Sequence, residues 1–125
     1  MSNRYKIVIS KEALEDIKSI KRYILAKFKY RQYTENFLNQ IKKSIQKISI
    51  FPKAYQKTKY NIEGLDVYLK PAHSYLVFFV VHKKTILILR VLKEIMYWDS
   101  VMKEIQNQLT IQEVCDTIER KKKAE

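Results

Sequence analysis

The chain has 125 residues, 46% of them apolar, which bounds it to one folded domain with a real core. One Gly leaves no room for a glycine-rich phosphate loop, the single Cys115 rules out an internal disulfide or a multi-cysteine zinc site, and two His without an acidic cluster argue against a metal, so no cofactor is expected. Twenty-five Lys and Arg against 13 Asp and Glu give a net charge of +12, which points to a polyanionic partner such as nucleic acid or a nucleoprotein.

That excess is local. Residues 11–50 hold ten basic and four acidic side chains and residues 51–101 hold eight and four, whereas residues 102–125 are balanced at five each. No N-terminal apolar run suits a signal peptide or a membrane helix, so no membrane partner is expected and the cytoplasm is the expected compartment.

Tyr5 to Ile9 alternates as a strand. Ser10 is an N-cap residue for a helix from Lys11 to about residue 29, with Glu12, Glu15 and Asp16 near its positive end. Ala13, Leu14, Ile17, Ile20, Ile24 and Phe28 form its apolar stripe. After a break near Tyr30–Tyr33, a second helix runs to about residue 50, with Phe37, Leu38, Ile41, Ile45 and Ile48 inward. Phe51-Pro52 ends it, since proline disfavours a helical residue before it. So short a break predicts an antiparallel helical hairpin with a lysine-rich outer surface.

Residues 53–63, rich in Lys and Tyr, are expected to be a loop. Gly64 opens a strand from Leu65 to Lys70 with one wet face, Tyr75 to Val81 reads as a central strand covered on both faces, and Thr85 to Leu92 as another, with His82, Lys83 and Lys84 turning between them. These three strands predict an antiparallel meander that the first strand joins. Tyr97 to Leu109 returns to helical spacing, and Thr110 with Glu113 reads as a capping box before the stripe Ile111, Val114, Cys115 and Ile118. The expected fold class is therefore α+β: an N-terminal strand, a helical hairpin, a three-stranded antiparallel meander forming one small sheet, and a C-terminal helix.

This order, with several local cues, resembles the RelE/ParE superfamily of toxins. The cues are Y-K-I-V-I-S-K-E-A-L-E-D-I at 5–17, Phe51-Pro52, the glycine-started strand from Gly64 to Leu69, the aromatic strand from Tyr75 to Val81, and Ile88 to Trp98. The likeness covers about residues 4–105, giving a toxin domain at 1–105 and a C-terminal extension with a frayed basic end at 106–125. The resemblance implies the toxin of a type II toxin–antitoxin pair, neutralised by a cognate antitoxin encoded beside it. RelE-like members cleave mRNA in the ribosomal A site, and ParE-like members poison DNA gyrase. Translation inhibition by ribosome-dependent, metal-independent mRNA cleavage is the first expectation here. The alternatives are a gyrase inhibitor without nuclease activity and a non-toxic basic interaction module on the same fold.

RNA cleavage needs an activated 2′-hydroxyl, a neutralised phosphate and a protonated leaving oxygen. The family's ribonucleases carry an Arg just after the Tyr that begins the central strand, but here Leu76 follows Tyr75, which removes a phosphate clamp. Where many members place a His after the last strand, this chain has Lys93, whose ordinary pKa of about 10.4 suits charge stabilisation better than base catalysis. Tyr97 is the expected acid or stacking platform, and Lys70 ends a strand on its polar face. Arg90 stands inside an apolar strand, where an unpaired charge is costly, so it is the leading candidate; otherwise its stem packs and its head reaches solvent. The catalytic expectation is thus Arg90, Lys93, Tyr97 and Lys70, with Lys53, Lys57, Lys59 and His73 as nucleic-acid-binding residues. His82 reads as a turn residue, Trp98 as a core plug and Cys115 as a packing residue. The last apolar stripe packs on its own domain, or else serves a homodimer contact or an antitoxin groove.

Overall fold

The computed structural model describes residues 4–94 and 98–124. Its elements are β1 (Lys6–Ile9), α1 (Lys11–Phe28), α2 (Arg31–Lys47), β2 (Gln56–Ile62), β3 (Leu65–Ala72), β4 (Tyr75–His82), β5 (Thr85–Lys93), α3 (Trp98–Gln108) and α4 (Ile111–Ala124). One five-stranded sheet has the order β1-β5-β4-β3-β2. β1 runs parallel to β5, and every other pair is antiparallel.

The meander has one strand more than expected, because residues 56–62 are strand rather than loop. Lys57 and Lys59 face water while Tyr60 and Ile62 are buried, so the polar residues that suggest a loop belong to an edge strand. Outward lysines on an edge discourage pairing with another chain. The ladder is irregular between Lys57 and Asn61, where Thr58 Oγ1 accepts from the Tyr60 amide and donates to the Val67 carbonyl.

Ser10 caps α1 as expected: its Oγ accepts the Ala13 amide at 3.0 Å. α1 buries Ala13, Ile20 and Ile24, whereas Leu14 and Phe28 of the expected stripe are exposed. Phe28 lies at the hairpin tip, where its ring meets Tyr33 at 4.8 Å. The break between helices is only Lys29 and Tyr30, because Lys29 takes a left-handed conformation (φ 59°) and its amide reaches back to the Leu25 carbonyl.

The sheet separates two cores. On one face Val77, Phe79, Ile86, Ile88 and Val91 meet Ile20, Ile24, Ile41 and Ile45 of the hairpin. On the other, Leu76, Phe78, Val80, Leu87 and Leu89 meet Met102 of α3 and Val114 and Ile118 of α4. β4 contributes to both, which explains its unbroken apolar run. Trp98 packs on Phe78 at 5.2 Å as a core plug, and the Thr110–Glu113 capping box forms. Residue 105 lies within α3, so the expected boundary between domain and extension falls inside a helix.

Candidate functional site

The neighbours of Arg90 follow from where β1 stops. Ile9, the last residue of β1, pairs with Ile88, and the Ser10 amide donates to the Ile88 carbonyl at 3.0 Å. Beyond that point side chains from the start of α1 take over the edge of β5. Ser10 Oγ donates to the Leu89 carbonyl at 3.0 Å, and Asp16 Oδ2 accepts the Val91 amide at 2.9 Å. Arg90 closes on the same carboxylate, its Nε donating to Oδ2 at 2.7 Å and its Nη2 to Oδ1 at 2.8 Å. The two side chains are 27% and 13% exposed. This bidentate pair holds the guanidinium charged, raising its pKa further, with smaller contributions from Glu12 and Glu104. Arg90 thus clasps α1 to β5, and the strand charge that the sequence marks as costly if unpaired has its carboxylate partner 74 residues earlier.

Lys93 lies across the sheet from Arg90. A bulge at Leu89 sets Arg90 opposite Phe78, whose ring belongs to the core under α3 and α4. Lys93 pairs with Tyr75, whose ring belongs to the core under the hairpin. There the Lys93 ammonium stands 3.9 Å from the centre of the Tyr23 ring, and Lys27 Nζ lies 3.5 Å from the Tyr23 hydroxyl and 5.4 Å from the Phe28 ring. The ammonium groups of Lys93, first, and Lys27 hold the Tyr23 phenol below the usual tyrosine range. Tyr75, beneath them, is raised by burial and then by Tyr23. Phe37 bridges Tyr75 to His73, with ring centres 5.9 and 5.5 Å away. His73 occupies the β3–β4 turn with φ 60°.

The result is a cationic aromatic patch of Tyr23, Lys27, Phe28, Tyr33 and Lys93, with His73 nearby. Neither Tyr23 nor Lys27 stands out in the sequence. Their spacing of four predicts their contact on one helix, but Lys93 is brought in by tertiary packing alone.

The other candidates are dispersed. Lys70 lies near Tyr55, 5.7 Å from its ring, and its pKa is lowered by burial and then by Lys47. Lys57 pairs with Asp66 at 3.5 Å near the start of β3, at the opposite end from His73. Lys59 lies over Tyr60, and Lys53 borders a small hollow with Gly64 and Asp66. Tyr97 lies outside the described residues. Among the described residues no group of three or more His, Cys, Asp or Glu is placed to hold a metal, and no helix is long and apolar enough to cross a membrane.

No curated protein is significantly similar to the chain in sequence. Among solved structures, the chromosomal ParDE TA system from P. aeruginosa contains a chain of the same fold, at a TM-score of 0.60 and 14% identity, covering 74% of this chain and 98% of that one. Residues 7–98 match the family model described as the ParE toxin of the type II toxin–antitoxin system parDE. With the strand, hairpin and meander of that match in place, the chain belongs to the ParE toxin family.

Proposed function

We propose that this ParE-family toxin acts by holding its target, DNA gyrase in the ParE manner, and that an antitoxin encoded beside it keeps it silent. The carrying observation is the separation of Arg90 from Lys93. One is neutralised by Asp16 on the α3–α4 face of the sheet, and the other stands on the hairpin face. A cleavage centre that uses both around one phosphate finds no support in that placement. What remains exposed is the Tyr23–Lys27–Lys93 patch and the aromatic hairpin tip, where Tyr30 is 73% exposed and Tyr33 48%. Tyrosines are among the residues that anchor protein interfaces, and the lysine charges beside them suit an acidic protein surface or a phosphate backbone.

A second reading rests on Tyr23. A phenol of lowered pKa between two ammonium groups is a metal-free proton carrier beside a phosphate-binding pair, which fits mRNA cleavage moved away from Arg90. Induced expression separates the two readings. The binding toxin predicts a DNA-damage response with intact mRNA, and purified protein that inhibits gyrase supercoiling at stoichiometric amounts. Mapped cuts in ribosome-bound mRNA, lost in Tyr23→Phe, would favour the second reading and overturn the first.

A further inference from the structure

A second surface lies on the other side of the molecule. Between the first turn of α1, β5 and the α3–α4 pair is a cleft of about 420 Å³, within the range of roughly 300–1,000 Å³ common for ligand sites. Its apolar floor is the half-buried Val101, Ile105 and Leu109, set over the buried Leu87, Leu89 and Val114. Its charged rim is Glu12, Glu104 and Glu113. Among the described residues Arg90 is the one basic residue lining it, and that guanidinium is neutralised by Asp16. On a chain of net charge +12 this is a local reversal of sign. The family match ends at residue 98, so α3 and α4, which supply Glu104, Glu113 and much of the apolar lining, lie almost wholly beyond it.

We propose that this cleft receives a segment of the antitoxin that presents a large apolar side chain next to an arginine or lysine. The proposal rests on the toxin–antitoxin reading above and adds where the antitoxin holds on and by what chemistry. Three carboxylates around an apolar floor attract a cation and reward an apolar anchor beside it. Nucleic acid is repelled by the rim. A second copy of this chain presents Tyr30 beside Arg31 at its hairpin tip, but two chains of net charge +12 repel each other, which disfavours a second copy as the occupant.

The test titrates the purified toxin with the protein encoded by the adjacent reading frame. Glu104 is exposed on α3 and tolerates exchange without loss of the fold. Glu104→Lys weakens the complex at least tenfold at low salt, Glu104→Gln weakens it severalfold, and the difference between them shrinks as salt screens the rim. Lys57→Glu, on the far sheet edge, leaves affinity unchanged. Growth arrest by Glu104→Lys expressed alone persists. If the wild type binds that protein and Glu104→Lys binds equally well, the cleft proposal is overturned while the toxin–antitoxin reading stands. If the wild type arrests growth yet binds no neighbouring gene product, both fall. If Glu104→Lys instead dissolves a dimer in sedimentation velocity, the occupant is a second copy and the proposal is overturned.

Discussion

Asp16 shows how one carboxylate couples distant parts of the chain. It neutralises Arg90 and also satisfies the Val91 amide, so removing it leaves a partly buried cation and an open backbone donor. Asp16→Ala is expected to cost about 3 kcal/mol in urea unfolding, by analogy with broken buried pairs. Adding Arg90→Met recovers part of that loss, since the stranded charge goes with it. The tyrosines offer a second check. Lys93 and Lys27 lower the pKa of Tyr23, so the fold favours its phenolate. That contribution is present above the unfolded value of about 10 and is lost as pH falls through the lower folded value. Tyr60 is the opposite case: its hydroxyl donates to Asp99 at 2.7 Å and its pKa is raised. Its contribution is complete below about pH 10 and is lost as pH rises through the folded value. In an ultraviolet titration Lys93→Met should move the earliest-ionising tyrosine upward. No movement would mean that the Lys93–Tyr23 contact does not persist in solution.

At the scale of elements, three tight turns connect the meander in a chain with one glycine. Glu63 and Gly64 both take positive φ in the first, His73 in the second and Lys83 in the third. A side chain in that region carries a backbone cost that glycine avoids. Lys83→Gly is therefore expected to stabilise the protein by about 0.5 kcal/mol, after the entropy glycine adds to the unfolded chain. Gly64→Ala goes the other way by about 1 kcal/mol. A Cβ there meets nothing within 4 Å, so the loss comes from the backbone angle alone. Thermal melts of the two variants should shift in opposite directions. The same first turn also ties the C-terminal helices down, because Glu63 accepts the Ile111 amide at the start of α4 at 2.7 Å.

For the whole molecule, the sheet is apolar on both faces, and each face needs a cover. The hairpin supplies one and α3–α4 the other. Ending the chain before Thr110 removes Val114 and Ile118 from the second core. Burial of two such side chains is worth about 4 kcal/mol, a large share of a typical domain's stability. The shortened protein is expected to bind a hydrophobic dye and to unfold at lower denaturant; an unchanged midpoint would show that α4 is dispensable to the core.

Read alone, the sequence determined what depends on neighbours along the chain. Ser10 as a cap, the helical period after it, the doubly apolar run of β4 and the Thr110–Glu113 capping box all act within a few residues, so spacing reveals them, although the second helix stops at Lys47, short of the Phe51-Pro52 expected to end it. β2 escaped that reading because an edge strand shows one polar face and needs its partner β3 to be recognised. The candidate site escaped it for a similar reason. Arg90 was legible as a charge needing a partner, but Asp16 becomes that partner only because β1 ends early and α1 crosses the open edge of β5. Arg90 and Lys93, three residues apart on one strand, face opposite sides by alternation alone, but the one-residue bulge at Leu89 decides which face each of them takes. Tertiary structure alone decided these matters, since strand register and helix docking join residues whose separation in sequence carries no signal of their contact.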